Sequence, residues 1–418
     1  MDRDALAFRI AEFVRSASDE AWDASDEAWY TRRPDKIPAA GSAGTRLSFE
    51  TLALDLFEYQ YGSSESYRRL CDGLARTPRS ISSWRQIPAV PTDAFRARRI
   101  SCSSEAPAAV FRTSGTTGSR PAIKQASIKE AGIPTRGEHW MDAAALELYR
   151  LSLRTSFARL ASRSAGLSIF SLIAPHSDAP DSSLSFMLSA LACDTPGSAF
   201  FWNDGGPDLE AAARRLRALS GIGANGHPIL LFATALGLLS LLEALDLDPR
   251  SAPIRLPAGS MVIETGGFKG HRILVSRADL YLRTSERLGV PASSIGSEYG
   301  MCEMASQFYD DHLAKGWAGE SIGVAGSNED PVKMGPPWVR TIVIDPDTGE
   351  EAIRGQAGIL CHYDLCNLNS ALCVRTQDVG AKAPTAPGFI LRGRLAGAPS
   401  RGCSLTVEEW AERLKAEG

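Results

Sequence analysis

The stretch Phe111-Arg-Thr-Ser-Gly-Thr-Thr-Gly-Ser-Arg-Pro-Ala-Ile-Lys124 decides how the rest of the chain is interpreted. An apolar segment, residues 108–111, precedes it and predicts a short strand that ends in a loop. Glycines at positions 115 and 118 let backbone N–H groups turn inward, while hydroxyl groups and Lys124 add donors and a positive charge. The stretch is therefore interpreted as a loop that surrounds a polyphosphate. A flexible Ser/Gly linker is the less favoured alternative.

The ATPase P-loop pattern does not fit this loop, because Gly118 is followed by Ser119 and Arg120 instead of Lys and then Ser or Thr. Residues 113–118 resemble instead the phosphate loop of the adenylate-forming superfamily, which includes acyl-CoA synthetases, peptide-synthetase adenylation domains and luciferases. The resemblance implies that ATP is the nucleotide and that Lys124 has a catalytic role. It also implies that the phosphates are bound by Thr113, Ser114, Gly115, Thr116, Thr117 and Gly118.

Composition gives the broad class of the protein. The chain has 418 residues, of which 44% are hydrophobic and 22% charged, which is typical of a globular protein with two or three sub-domains. A net charge of −4 gives no reason to expect nucleic acid or an anionic membrane as a partner. The longest apolar run, residues 228–242, is too short to span a bilayer. Eight scattered cysteines without a secretion signal predict reduced thiols and a cytoplasmic location.

Hydrophobic periodicity divides the chain into four predicted parts. These are a mainly helical part (1–105), an α/β nucleotide-binding core (106–320), a small β-rich sub-domain (321–395) and a tail (396–418). The predicted strands of the core are 108–111, 167–173, 229–234, 261–264 and 294–296. The predicted helices of the core are 142–153, 184–193, 208–219, 236–245 and 277–288. This alternation predicts a parallel sheet covered by helices.

A second motif is Ser297-Glu-Tyr-Gly-Met-Cys-Glu303. Tyr299 and Gly300 would give a planar ligand an aromatic face and a close backbone approach, and Glu303 supplies the carboxylate that Mg²⁺ prefers. The motif resembles the Tyr-Gly-x-Thr-Glu motif of adenylate-forming enzymes, with Cys302 in the place of Thr. The resemblance implies that Tyr299 and Gly300 contact adenine and that Glu303 binds the metal. A strand end with a surface acid is the alternative.

Two shorter motifs complete the predicted nucleotide site. Residues 374–380 resemble the family's Tyr-Arg-Thr-Gly-Asp motif, which makes Asp378 the candidate ligand of the ribose diol. Residues 263–269, with Gly266 and Gly267, resemble the Gly-rich turn along the edge of adenine. Further candidates are Lys269, as a catalytic lysine, and Arg394, in a hinge-like Gly-Arg pair that is assigned to nucleotide binding.

Further stretches are similar to the LuxE-type acyl-protein synthetases, among them residues 91–95, 264–270 and 388–405. The resemblance implies an α/β fold like the large domain of adenylate-forming enzymes: stacked, parallel-rich sheets covered by helices, plus a small β-rich sub-domain. It implies that the usual mobile C-terminal domain is lacking. It also implies that a fatty acid is activated as acyl-AMP and transferred to the enzyme's own cysteine, here Cys403, for a partner enzyme.

A thiol on the same chain would react as in an intramolecular reaction. Arg401 and a helix start near Ser404 would favour the thiolate. A small buried thiol is the alternative for Cys403.

Other interpretations stay open at this point. The acceptor thiol could belong to coenzyme A or a carrier protein, or the chain could be a non-catalytic nucleotide-binding subunit. The acid could be aliphatic, aryl or amino. His176 could line the acyl pocket or be an ordinary loop residue. Zinc is disfavoured, because Cys361, Cys366 and Cys373 form no Cys-x-x-Cys pair.

Overall fold

The structure is a computed structural model. It describes residues 2–16, 47–113, 136–161, 167–203, 206–220, 226–247, 252–266, 275–315, 330–384 and 388–395. The helices are α1 (Arg3–Ser16), α2 (Phe49–Ser63), α3 (Glu65–Gly73), α4 (Ala94–Ala97), α5 (Ala143–Ala161), α6 (Ser183–Cys193), α7 (Leu209–Ser220), α8 (Ala235–Leu247), α9 (Arg277–Leu288) and α10 (Asp311–Lys315). The five helices predicted for the core are confirmed as α5 to α9.

The strands are short and mostly buried. They are β1 (Val90–Pro91), β2 (Ala109–Arg112), β3 (Glu138–Met141), β4 (Ser168–Ser171), β5 (Ala199–Phe200), β6 (Trp202–Asn203), β7 (Gly206–Pro207), β8 (Ile229–Thr234), β9 (Met261–Thr265), β10 (Ile295–Tyr299), β11 (Phe308–Asp310), β12 (Val332–Met334), β13 (Val339–Ile344), β14 (Ala357–Asp364), β15 (Cys373–Lys382) and β16 (Phe389–Arg394). Two compact units contain these elements: residues 1–155, 301–306 and 332–418 form the first, and residues 156–300 and 307–331 the second. The four-part division made from the sequence stays a prediction.

The second unit is built on a mainly parallel sheet. Its strand order is β5-β4-β8-β9-β10-β11, in which β11 alone is antiparallel to its neighbour. Helices alternate with these strands, as the sequence predicts, and the Leu-rich face of α8 packs on the sheet. Each fully buried Leu stabilises this core by roughly 1.5–3 kcal/mol. Because the strands are parallel, their carboxyl ends meet at one edge of the sheet, where ligands of open α/β sheets bind.

The first unit contains an antiparallel sheet, which agrees with the β-rich texture predicted after residue 320. Its strand order is β13-β14-β15-β16-β12. The short strand β1 joins β15 in parallel, with Val90 opposite Val374 and Pro91 opposite Arg375. This pairing fixes residues 90–91 beside the strand that carries Asp378.

One predicted strand has a different partner from the one expected. The segment predicted at 108–111 forms β2, but β2 belongs to a separate two-stranded sheet and pairs antiparallel with β3. The alternation of strands and helices predicts it among the parallel strands, and the sequence gives no indication of β3. The reason is that β3, with the sequence Glu-His-Trp-Met, is too short and polar to give a periodic signal.

Among the helices that the structure describes, none has both the length and the apolar composition needed to cross a bilayer.

Candidate functional site

The predicted phosphate loop connects the two strands of the β2–β3 hairpin in the first unit. Thr113 and Gly137 close its base: the Thr113 N–H donates to the Gly137 carbonyl at 2.9 Å, and the Gly137 N–H donates to Thr113 Oγ1 at 2.9 Å. Arg136 donates from Nε to the Thr113 carbonyl at 2.6 Å. Because the Thr113 hydroxyl accepts here, its own hydrogen remains available for another acceptor. The predicted residues Ser114, Gly115, Thr116, Thr117, Gly118 and Lys124 lie outside the described residues.

Glu303 lies in the connection 301–306 of the first unit, and only 5% of its surface is exposed. Burial raises the pKa of its carboxyl to about 7, and the guanidinium groups of Arg96 and Arg394 partly offset this shift. Asp378 acts in the opposite direction, because a neighbouring carboxylate disfavours a second negative charge. The structure therefore brings the predicted residues Glu303, Asp378 and Arg394 together, and adds Arg96 to them.

Asp378 and Arg394 face each other across β15 and β16. Their register positions are paired, and Arg394 Nε lies 3.2 Å from Asp378 Oδ1. The Asp378 N–H donates to Thr376 Oγ1 at 2.9 Å, which fixes the backbone at this point. The strand register shifts immediately afterwards, between Val379 and Gly380. Such a bulge re-aims the adjacent side chains, which is common beside functional sites.

Two buried side chains hold the connection that carries Glu303. Asn367 donates from Nδ2 to the Glu303 carbonyl at 3.0 Å, and His139 Nδ1 lies 2.8 Å from the Cys302 carbonyl. Burial lowers the pKa of His139 to about 4, so the ring is neutral and must carry its hydrogen on Nδ1 to make this bond. Cys302 therefore contributes its backbone to this arrangement, and its half-buried thiol stands where the resemblance has a Thr.

A buried carboxylate holds the end of the same connection. Asp364 accepts from the Ala305 N–H at 3.0 Å, from the Ser306 hydroxyl at 2.9 Å and from the Cys366 N–H at 3.0 Å. The Ser306 hydroxyl also lies 3.1 Å from the indole nitrogen of Trp338, which donates to it. Asp364 is fully buried, and burial raises the pKa of its carboxyl to about 6. Its acceptor oxygens thus fix the backbone two residues after Glu303.

We expect Asp364→Ala to destabilise the protein by about 3 kcal/mol, because three buried donors would lose their acceptor at once. The matched control is Asp347→Ala, on an exposed turn, which should change the free energy of unfolding by less than about 0.5 kcal/mol. Urea denaturation of both variants measures the difference. Equal stability of the two would mean that Asp364 is not a structural anchor of the connection 301–306.

The residues predicted to contact adenine lie at the carboxyl ends of β9 and β10 in the second unit. Gly266 follows β9 with a φ of +83°, a conformation that favours glycine. Thr265 and Glu298 are register partners, and Thr265 Oγ1 donates to Glu298 Oε2 at 2.5 Å. A Cβ on Gly300 would lie 2.5 Å from Glu298 Oε1, so this position has no room for a side chain while Glu298 keeps its place.

The Tyr299 ring packs near Phe308, with 5.8 Å between the ring centroids. His176 follows β4, and its ring makes an edge contact with Phe186 at 5.3 Å. Its backbone N–H donates to Ser189 Oγ at 2.8 Å. Gly267, Lys269 and Cys403 lie outside the described residues.

Sequence reasoning missed four residues of the first unit that support this site: Arg96, His139, Asp364 and Asn367. His139, Asp364 and Asn367 are polar side chains in otherwise apolar surroundings. A polar residue inside an apolar stretch is a weak sign of a buried hydrogen-bonding role, and the segment 357–373 contains several. Arg96 directly follows residues 91–95, one of the stretches that resemble acyl-protein synthetases. Nothing in the sequence predicts that Arg96 lies near Glu303.

The cysteines of the described segments are free thiols. Cys71, Cys361, Cys366 and Cys373 are buried, and Cys193 is exposed. Across the described residues, no group of three or more His, Cys, Asp or Glu side chains is arranged to hold a metal ion by itself.

The chain was compared with protein-family models, curated sequences and solved structures. No protein-family model matches the chain, and no curated protein matches it in sequence. A 2-hydroxyisobutyryl-CoA ligase in the postadenylation state with 2-HIB-AMP is 16% identical, with a TM-score of 0.54 over 88% of this chain and 75% of that one. Its open conformation with 2-HIB-AMP and CoA gives 16% identity and a TM-score of 0.52 over 87% and 75%.

ATP-bound MatB from Rhodopseudomonas palustris matches more weakly. It is 16% identical with a TM-score of 0.42, and the match covers 70% of this chain and 49% of that one, so the chain matches about half of MatB's length. At these identities the likeness of the ligase structures shows the fold alone. The chain has the α/β fold of the adenylate-forming enzymes, with parallel-rich sheet and covering helices, as its sequence predicts.

Proposed function

We propose that this chain activates a carboxylic acid with ATP. In this reaction a carboxylate oxygen attacks the α-phosphorus, the bond between that phosphorus and the bridging oxygen breaks, and pyrophosphate leaves with the electron pair. The product is an acyl-AMP, a mixed anhydride. The solved 2-hydroxyisobutyryl-CoA ligase structures, whose fold this chain shares, hold a 2-HIB-AMP. Since fold alone does not determine activity, the proposal rests on the site residues.

The observation that carries the proposal is the grouping of Glu303, Asp378 and Arg394 in the first unit. Separate stretches of the sequence predicted these residues: Glu303 as the metal ligand, Asp378 as the ribose ligand, and Arg394 as a nucleotide-binding residue of a hinge-like Gly-Arg pair. The proximity of the predicted metal ligand to the predicted ribose ligand supports the proposal. Asp378, with 17% of its side chain exposed, would accept hydrogen bonds from the ribose diol.

The remaining parts of the nucleotide are assigned to the other predicted residues. The hydroxyl of Thr113 and the loop that follows, with Lys124, would donate to the phosphates. Tyr299, Gly300, Gly266 and Gly267 would contact adenine, and Tyr299 precedes Glu303 by only four residues along the chain. Lys269 is assigned a catalytic role in the same reaction, as the candidate for the catalytic lysine.

The donor set around Glu303 fits Mg²⁺. A buried carboxyl with a raised pKa, next to a second carboxyl, gains from a cation that offsets its charge. Mg²⁺ binds through one or two carboxylates plus phosphate oxygens, so Glu303 would hold it together with the nucleotide. The ion would neutralise phosphate charge. The chain itself orients Glu303 through Asn367 and His139.

The acyl group would then pass to a thiol, and Cys403 is the leading candidate. The thiols buried in the described segments are poor nucleophiles: burial raises the pKa of Cys71 to about 12 and raises the pKa values of Cys366 and Cys373 well above the usual range. A Cys403 thioester would serve a partner enzyme, and the substrate would be a fatty acid. Because all described cysteines are free thiols, we also propose a cytoplasmic location.

An external thiol is the second candidate acceptor. A ligase with the same fold was solved with 2-HIB-AMP and CoA in its thioesterification state, and this favours coenzyme A or a carrier protein as the alternative to Cys403. A non-catalytic nucleotide-binding subunit is the third interpretation, motivated by Cys302 in the position of Thr. The following experiment separates it from both enzymatic versions.

The test of the proposed function is ATP–pyrophosphate exchange with a panel of aliphatic, aryl and amino acids in the presence of Mg²⁺. Acid-dependent incorporation of labelled pyrophosphate into ATP is expected with at least one class. The absence of exchange with every acid, in a protein that still binds ATP, would support the non-catalytic interpretation instead.

Asp378→Ala should lower the exchange rate about 100-fold, mainly through a higher KM for ATP, because two charge-assisted hydrogen bonds to the ribose are lost. The control is Asp347→Ala, which removes a carboxylate from an exposed turn of the same unit. Steady-state exchange at varied ATP measures both variants. A normal KM for ATP in Asp378→Ala would remove Asp378 from the nucleotide site.

A further inference from the structure

Arg96 lies on the short helix α4, at a point where the chain is fixed from two sides. On one side β1 pairs with β15, and the Thr92 N–H donates to the Arg375 carbonyl at 3.0 Å. Gln377, next to Asp378, also donates from Nε2 to Asp93 Oδ2 at 2.6 Å. The helix that carries Arg96 is therefore attached to the strand that carries Asp378.

The other side of α4 faces the base of the β2–β3 hairpin. The Phe95 ring lies in an edge contact with the His139 ring, with 6.3 Å between the centroids. A Cβ built on Gly137 would lie 3.5 Å from Arg96 Cγ and 3.2 Å from the methyl carbon of Thr113. The side chain of Arg96 thus begins next to Thr113 and Gly137, the two residues between which the predicted phosphate loop starts and ends.

The charge of Arg96 has no fixed partner in this position. Among the described residues, its guanidinium makes no hydrogen bond or ion pair, although it is half-buried and close enough to Glu303 to favour that carboxylate. Arg394, by contrast, is paired: its Nε is 3.2 Å from Asp378 Oδ1. Of the two arginines beside Glu303, Arg96 is therefore the one on the side of the phosphate loop.

We propose that Arg96 binds the β- and γ-phosphates of ATP and the pyrophosphate that leaves. This assignment rests on the proposed function of the same site. A guanidinium presents several N–H donors in a plane and matches two phosphate oxygens at once. When the bond between the α-phosphorus and the bridging oxygen breaks, negative charge grows on the β-phosphate, and Arg96 stabilises it there. Arg96 is thus a catalytic residue that touches the leaving group.

The experiment compares the binding of three probes, MgATP, inorganic pyrophosphate and AMP, by isothermal titration calorimetry. Arg96→Gln is expected to weaken MgATP and pyrophosphate binding by about 10-fold to 100-fold, while AMP binding changes less than about 2-fold. Arg96→Lys should recover part of the lost affinity, because it keeps the charge but not the planar donors. Arg98→Gln is the matched control, since Arg98 directly follows the same helix and should leave all three affinities unchanged.

The three affinities separate direct phosphate binding by Arg96 from a structural role of this residue. An Arg96 that merely supports the fold would weaken AMP together with MgATP. An Arg96 that acts only through Glu303 and its metal would weaken MgATP but leave the binding of inorganic pyrophosphate, measured without Mg²⁺, unchanged. Either result would overturn the proposal, as would unchanged MgATP binding in Arg96→Gln. Thermal melting shows whether Arg96→Gln folds. If it does not, the binding of MgATP, pyrophosphate and AMP is compared between Arg96→Lys and wild type. If wild-type protein exchanges pyrophosphate and Arg96→Gln binds MgATP normally, the role proposed for Arg96 is wrong and the proposed function stands. If wild-type protein neither binds MgATP nor exchanges pyrophosphate, both the role of Arg96 and the proposed function are wrong.

Discussion

Cys403→Ser is expected to abolish the acyl adduct that wild-type protein forms with ATP and its acid, while pyrophosphate exchange continues at the wild-type rate. The adduct depends on a thiol, because a serine hydroxyl is hardly ionised near neutral pH and is a far weaker nucleophile. Exchange precedes the transfer and does not need the thiol. Intact-mass measurement after incubation with ATP and acid detects the adduct as a mass increase equal to the acyl group.

The control for this result is Cys193→Ser, which removes the one cysteine that the described segments leave exposed. It should keep the adduct in full. An adduct that survives Cys403→Ser but is lost in Cys193→Ser would move the acceptor to Cys193. No adduct in wild-type protein, together with release of AMP that depends on added coenzyme A or a holo-carrier, would establish the external acceptor instead.

Glu303→Gln should reduce pyrophosphate exchange by at least about 100-fold, since an amide keeps the shape of the side chain but loses the charge that binds a cation. Exchange at varied Mg²⁺ measures the effect. The matched control is Glu350→Gln, on an exposed turn of the same unit, which should exchange at the wild-type rate. Unchanged exchange in Glu303→Gln would exclude Glu303 as the metal ligand.

Glu303→Gln should also make the protein more stable than wild type at high pH. Burial raises the pKa of Glu303 from 4.5 to about 7 on folding, so its contribution to stability is fully present below pH 4.5 and is lost as the pH rises through 7. Glu303→Gln has no such loss. Measured in EDTA, its free energy of unfolding relative to wild type should therefore rise by about 3 kcal/mol between pH 4 and pH 8.

The control is again Glu350→Gln, which removes an exposed carboxyl of the same unit. A difference between Glu303→Gln and wild type that stays constant with pH would contradict the burial of the Glu303 carboxyl. Loss of function together with a gain in stability is typical of residues that are placed for binding.

The sequence predicted the parallel strands of the second unit well, because β8, β9 and β10 are apolar runs bounded by turn residues. Recognisable motifs also indicated Glu303 and Asp378, whose roles stay predictions. The turn after a strand that was expected for Asp378 is wrong, because Asp378 lies within β15. The sequence could not place β2, whose partner β3 has no hydrophobic pattern. His139, Asp364 and Arg96 were missed for a different reason: each acts across more than 30 residues of chain, on backbone or charge whose position only the fold determines.

The pairing of β1 with β15 has a consequence for the order in which the protein can fold during synthesis. Val90 pairs with Val374, and the side-chain amide of Gln60 donates to the carbonyl of Asn367. These contacts can form only after most of the chain has left the ribosome. The segment 156–300, by contrast, carries the parallel strands and the leucine core of the second unit, and only residues 307–331 of that unit are synthesised after it. The amino-terminal helices would therefore be the part of the nascent chain that stays longest without its native contacts and depends most on chaperones.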